Sequence, residues 1–188
     1  MATVDILVEG YTTDNASGES GEDTTACTMC LVRDGDIVMV TDPGTLKSQD
    51  IMKDALAKFD LTVDDVSDVF VTHMHPDHVR NIGMFPTAKM IEYYGEWEED
   101  RCEDRNNKVS DDIEIIETPG HDKSGLTLLV KTDRGTVAIC GDVFWKKDLP
   151  VEDPYADSPE ELVGSRKKVL EVADYVIPGH AGEYEVKK

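Results

Sequence analysis

Three of the five histidines in this 188-residue chain lie within six positions of one another, in the segment VFVTHMHPDHVRN at residues 69–81. They directly follow four residues that are typical of a buried strand. His73, His75 and Asp77 alternate with other residues, so their side chains can converge on one side of an extended or turning segment while His78 points elsewhere. One loop could therefore supply ligands to two neighbouring metal centres.

The two remaining histidines share a local context, TPGH at 118–121 and IPGH at 177–180, each directly after an apolar strand. Proline and glycine turn the chain sharply there and leave the imidazole at the end of the strand. Asp142, in AICGDVF, also ends an apolar strand, and its two oxygens can bridge two cations. A shared metal site explains this pattern better than five independent structural histidines.

Length and charge limit the classes of function. A chain of 188 residues fits one domain spanning residues 1–188. Forty acidic residues against nineteen basic ones give a formal charge of −21, which disfavours RNA and anionic membranes as partners. No apolar run approaches the roughly 18 residues of a membrane span, and the first residues carry no basic leader segment. We therefore expect a cytoplasmic protein without a membrane partner; its oligomeric state stays open, a homo-oligomer included.

Cys27 and Cys30 form a C-x-x-C pair, a spacing found in redox and zinc sites. The pair leads into a predicted strand, where residues three apart point to opposite faces, and no second such pair exists in the sequence. Buried structural thiols are therefore expected.

Two amphipathic helices are predicted, one in each half of the chain. Apolar residues at three-to-four-residue spacing mark residues 46–60 and 158–173. In the second helix Ser158 is the expected N-cap and Leu162, Val169, Leu170 and Val172 the buried stripe. Residues 12–25 are expected to form an exposed loop, and the acidic residues 96–107 a helix-like segment overhanging the site. Because strands precede a helix in each half, the prediction is an α/β fold, a four-layered αββα sandwich.

The motifs THMHPDH, TPGH, GD and PGH, in this order and with these gaps, resemble the metallo-β-lactamase superfamily of di-metal hydrolases over nearly the whole chain. Asp42 matches an early aspartate that supports the ligand loop in that family. The resemblance implies that Asp142 bridges two metals. It implies one metal on His73, His75 and His121, and the other on Asp77, His78 and His180.

The resemblance also implies a reaction. A metal-bridging hydroxide would attack an ester, thioester, lactone or phosphodiester, with Asp77 as the residue that receives the proton. Two divalent ions are expected, Zn²⁺ foremost, with iron and manganese as alternatives for a mixed histidine and carboxylate site. Antibiotic hydrolysis is disfavoured, because true β-lactamases of this fold typically lack the bridging aspartate. A small-molecule substrate is favoured.

Besides a non-enzymatic protein whose metals are purely structural, two enzymatic alternatives remain open. LVEGY at 7–11, CGDVF at 140–144 and residues 165–180 are similar to the group typified by metallo-β-lactamase domain-containing protein 1, which is linked to cleavage of histone pre-messenger RNA in animals. A metal-dependent endoribonuclease is therefore the first alternative, and its cationic rim would be Lys123, Lys146 and Lys147. The net charge argues against it. An iron-dependent sulfur dioxygenase is a further alternative.

Overall fold

Two β-sheets packed face to face form the centre of the fold, in a computed structural model that describes residues 1–14, 16 and 22–187. The strands are β1 (Thr3–Val8), β2 (Tyr11–Thr12), β3 (Thr25–Ala26), β4 (Met29–Asp34), β5 (Ile37–Thr41), β6 (Asp68–Phe70), β7 (Lys89–Glu92), β8 (Gly95–Glu98), β9 (Arg101–Glu103), β10 (Ile113–Glu117), β11 (Leu126–Thr132), β12 (Gly135–Ile139), β13 (Tyr175–Ile177) and β14 (Tyr184–Glu185). The first sheet has the order β1-β4-β5-β6-β7-β8-β9 and the second β10-β11-β12-β13-β14, while β2 and β3 pair separately.

The parallel strands of the two sheets determine where the segments that follow them lie. β5, β6 and β7 run parallel to one another in the first sheet, and β12 and β13 do so in the second. Thr41 pairs with Phe70, and Ile139 pairs with Ile177, so the chain leaves each pair of strands at a common edge. The segments that carry the predicted metal residues therefore emerge next to one another.

Side chains that alternate along a strand belong to two different hydrophobic layers. In β4, Cys30 and Val32 pack between the sheets with Phe70 and Leu128, whereas Leu31 points the other way and packs on the outer side of the first sheet. All five side chains are fully buried. This is the period of two expected of strands covered on both faces.

The two thiols of the C-x-x-C pair lie in different hydrophobic clusters, Cys27 outside the first sheet and Cys30 between the sheets. Both are buried and free. The prediction of structural thiols on opposite faces is confirmed.

One helix covers the outer face of each sheet. The helices are α1 (Asp50–Ala57), α2 (Pro76–Val79) and α3 (Pro159–Val172). Met52 and Leu56 of α1 pack on the first sheet, and Leu162 and Val169 of α3 pack on the second. The predicted four-layered αββα sandwich is confirmed.

The boundaries of the two predicted helices differ in detail. The first is shorter than residues 46–60, whereas α3 matches its prediction closely and the Ser158 hydroxyl accepts the N–H of Glu161 at 3.4 Å. Val172 is 43% exposed and so does not belong to the buried stripe of α3, contrary to expectation, whereas Val169 in the same turn is fully buried.

The acidic segment 96–107 is not helical, contrary to prediction. β8 pairs with β7 and β9 pairs with β8, with Trp97 opposite Met90 on one side and Cys102 on the other. The Trp97 indole N–H donates to Glu92 Oε1 at 2.9 Å. This hairpin satisfies backbone groups that the edge of β7 would otherwise leave unpaired, and sheet pairing outweighs the local charge pattern.

Within the part of the chain that the structure describes, no helix combines the length and the apolar character needed to cross a membrane.

Candidate metal centre

All seven residues predicted from the strand ends meet at one edge of the sandwich. They form two adjoining groups, in each of which the potential ligand atoms lie within 4.8 Å of one another. The first group is His73, His75, His121 and Asp142, and the second is Asp77, His78 and His180. The structure thus brings together the full predicted set.

Three imidazole nitrogens converge in the first group. His75 Nδ1 lies 3.0 Å from His73 Nε2 and 3.1 Å from His121 Nε2, and Asp142 Oδ2 lies 3.4 Å from His121 Nε2. Ligand atoms about 2.1 Å from a tetrahedral ion are themselves about 3.4 Å apart, so this spacing fits a cation at the centre. Burial lowers the pKa of His73 and of His75, which keeps both rings in the neutral form that metals require.

The second group shares Asp142 with the first. His180 Nε2 lies 3.6 Å from Asp77 Oδ2 and 3.2 Å from Asp142 Oδ2, and His78 Nε2 lies 3.4 Å from Asp142 Oδ1. The two oxygens of Asp142 therefore contact histidines of both groups, as a bridging carboxylate does.

Two buried polar atoms at the centre lack hydrogen-bond partners, namely His78 Nε2 and Asp142 Oδ1. An orphaned buried group of this kind costs about 1–3 kcal/mol, which a cation between the two atoms would offset. Burial alone would raise the pKa of Asp142, but His78 and His180 outweigh it and hold that pKa well below its usual value. The donor set, three or four nitrogen and oxygen atoms in each group, therefore fits a pair of divalent metals.

Asp42 supports the ligand loop, as expected from the sequence. Its buried carboxylate accepts the N–H and the hydroxyl of Thr72, both at 2.7 Å, and lies 3.0 Å from His78 Nδ1. The Thr72 hydroxyl in turn lies 3.1 Å from His73 Nδ1. Asp42 thus orients rings in both groups.

Asp153 is a functional candidate that the sequence did not indicate. Its side chain is fully buried, and its Oδ2 lies 2.6 Å from His121 Nδ1. Although burial opposes the charged imidazole, the hydrogen bond to Asp153 raises the pKa of His121. No motif distinguishes this residue among forty acidic ones, which is why the pattern could not reveal it.

A small cavity of about 170 Å³ opens over the two groups. Asp14 and Asp23 line it, together with Trp145 and Tyr155, whose rings stack at 5.8 Å. The Tyr155 hydroxyl donates to Asp14 at 2.8 Å. The loop predicted at residues 12–25 therefore contributes to the cavity wall through its two ends, while residues 15 and 17–21 lie outside the described part of the chain.

The lysines suggested as a cationic rim do not line the cavity themselves, although Lys146 contacts Thr12, which does. Lys146 Nζ donates to the Thr12 carbonyl at 2.9 Å, and Lys147 lies over the Tyr184 ring. Neither these two lysines nor Lys123 is among the described residues that line the cavity.

Solved structures share this architecture. A Thermotoga maritima protein classed with the metallo-beta-lactamases matches with a TM-score of 0.73 and 21% identity, over 98% of this chain and 99% of that one. An N-acyl homoserine lactone hydrolase with product at its catalytic metal centre matches with a TM-score of 0.72 and 15% identity, over 95% and 92%. At these identities the likeness shows the fold, and the histidine and aspartate cluster within it is of the kind that metal-dependent hydrolases use.

Sequence comparison specifies the family. The family model described as the metallo-beta-lactamase superfamily matches residues 23–101. Metallo-beta-lactamase domain-containing protein 1 of Xenopus laevis is 30% identical over 99% of this chain and 82% of its own length. The Rattus norvegicus protein of that name is 32% identical over 79% of this chain, and the match spans 63% of its length. The chain belongs to the metallo-beta-lactamase superfamily and groups with these relatives.

Proposed function

We propose that the chain is a two-metal hydrolase of small carboxylic esters, thioesters or lactones. The observation that carries the proposal is the position of Asp142, whose carboxylate contacts histidines of both ligand groups at the floor of a small cavity. Two divalent cations bound there, Zn²⁺ foremost, would supply a Lewis acid and would lower the pKa of a bound water towards about 7.

The seven candidate ligands would be divided between two metals. The histidines at 73, 75 and 121 would hold the first metal; Asp77, His78 and His180 would hold the second; Asp142 would link the two. Of the two carboxylates in the ligand set, Asp77 is more exposed than Asp142, with 19% of its side chain accessible, and it lines the cavity. Asp77 would therefore be the group that receives a proton during hydrolysis.

Size and charge favour a small substrate over RNA. The cavity holds about 170 Å³, and its described lining includes Asp14 and Asp23 but no lysine or arginine. A phosphodiester in the cavity would meet these carboxylates, with no lysine or arginine among the described lining residues to offset their charge. A lactone is included among the test substrates because an N-acyl homoserine lactone hydrolase shares the fold.

Two further parts of the proposal concern the extent of the domain and the location of the protein. The chain would act as a single domain over residues 1–188, because the ligands come from both sheets. A cytoplasmic location agrees with four free cysteines, of which three are buried.

The test is hydrolysis of 4-nitrophenyl acetate, a simple γ-lactone and a labelled RNA oligonucleotide by zinc-loaded protein. The comparison is the double variant Asp77→Ala, His78→Ala, with exposed Asp64→Ala as the matched control. We expect cleavage of the ester or lactone by the wild type and the control only. Cleavage of RNA alone would replace this proposal with the endoribonuclease, and iron-dependent oxygen uptake without hydrolysis would replace it with the dioxygenase.

A further inference from the structure

We propose that Asp153 is a positioning residue that sets the affinity of the first metal position alone, whereas Asp42 acts on both positions. This inference rests on the proposed two-metal site. Its basis is that the ring nitrogen facing away from the centre has a different neighbour in each ligand histidine.

Asp153 acts on a single ring, that of His121. The 2.6 Å contact joins Asp153 Oδ2 to His121 Nδ1, and the other oxygen, Oδ1, accepts the backbone N–H of Tyr155 at 3.0 Å. Because a carboxylate can only accept, the proton of the neutral imidazole is held on Nδ1. The Nε2 lone pair is then free and faces His75 Nδ1 at 3.1 Å and Asp142 at 3.4 Å.

Asp42 reaches two rings through different routes. It contacts His78 Nδ1 directly at 3.0 Å, and it accepts the Thr72 hydroxyl, whose oxygen is the 3.1 Å neighbour of His73 Nδ1. His78 belongs to the second ligand group and His73 to the first. One carboxylate therefore fixes a ring on each side of the centre.

Among the described residues, the two other histidines have no such contact with a carboxylate outside the ligand set at hydrogen-bond distance. His180 Nδ1 faces the Ala26 carbonyl at 3.0 Å, and His75 Nε2 is 4.0 Å from Asp122 Oδ2. In each group one histidine therefore contacts, through its Nδ1, a buried carboxylate outside the ligand set: His121 contacts Asp153, and His78 contacts Asp42. Removing an outer partner of this kind typically weakens metal affinity about 10- to 100-fold.

The experiment is calorimetric titration of metal-free protein with Zn²⁺, which resolves stoichiometry and affinity without any assay of activity. Asp153→Asn should weaken one of the two binding events about 10- to 100-fold and leave the other unchanged. Asp42→Asn should weaken both. Glu152→Gln, which removes the same charge from an exposed neighbour, should bind as the wild type does.

The outcomes separate this inference from the proposed function. A wild type that takes up fewer than two ions would contradict the two-metal site itself. A wild type with two ions and an Asp153→Asn variant with two unchanged affinities would overturn the role of Asp153 alone, as would equal weakening of both events in that variant.

A measurement on the wild type keeps the inference testable if Asp153→Asn does not fold. Long-range ¹H–¹⁵N spectra of the zinc-loaded protein report which nitrogen of each histidine carries a proton. We expect His121 to be protonated at Nδ1 and not at Nε2. A proton on Nε2, or an Nδ1 without one, would overturn the positioning role.

Discussion

Replacement of Gly179 by alanine should displace the proposed bridging carboxylate without removing any ligand. A Cβ added at Gly179 would lie 1.8 Å from Asp142 Oδ1 and 3.2 Å from the carbonyl carbon of Gly141. Contacts under 3.0 Å are essentially never made by real Cβ atoms, so the gap from 1.8 Å to that limit requires Asp142 to move by about 1.2 Å.

The space around Asp142 determines the cost of that movement. Its Oδ2 already lies 3.2 Å from His180 Nε2 and 3.4 Å from His121 Nε2, so the carboxylate cannot shift without disturbing both ligand groups. A misplacement of about 1 Å in an active site can reduce the rate on the order of 100-fold. Overpacking of this kind also costs about 1–3 kcal/mol of stability.

The assay combines metal content after dialysis, hydrolysis of the test ester and urea unfolding. Gly179→Ala should lose metal and about two orders of magnitude in rate while remaining folded. Gly164→Ala is the control, because nothing lies within 4 Å of a Cβ there and its helical position should gain up to about 1 kcal/mol. A Gly179→Ala protein with two metals and the wild-type rate would refute the bridging role of Asp142.

Four further predictions concern the core, the metals and the thiols. Leu128→Ala, in the fully buried layer between the sheets, should lower the free energy of unfolding in urea by about 2–5 kcal/mol, whereas Val163→Ala on the surface should change it little. Removal of metal by a chelator should lower the melting temperature, because metal at 1,000 times its Kd stabilises by about 4 kcal/mol. Burial raises the pKa of Cys30 from 9.0 to about 12, so stability should fall as pH rises from 9 towards 12, by at most about 1.4 kcal/mol per pH unit for this thiol. At pH 8, Cys102 alone should react with a thiol reagent until the chain is unfolded.

The ligand set could be predicted from sequence because its signal is local. The five histidines lie in three short segments, each shortly after a strand, and two of these segments share the PGH motif. His73 follows β6 of the first sheet and His180 follows β13 of the second, so it is the pattern of potential metal ligands, and not strand pairing, that predicts their meeting. Alternating strands and two amphipathic helices likewise predicted the layers of the fold.

The parts that were missed depend on contacts between distant segments. Asp153 differs from other acidic residues only in lying 2.6 Å from His121, 32 positions earlier in the chain. Residues 96–107 form a hairpin because β7 offers an edge to pair with, which their own composition does not encode. Asp14 and Tyr155, which form a hydrogen bond at the cavity, are 141 residues apart in the sequence. Such pairings become visible only once the chain is folded.

The most direct test of the two-metal site is anomalous diffraction from crystals of the zinc-loaded protein at the zinc absorption edge. We predict two peaks, one among His73, His75, His121 and Asp142 and the other among Asp77, His78, His180 and Asp142. A single peak, or none at these residues with zinc bound elsewhere, would contradict the proposed centre.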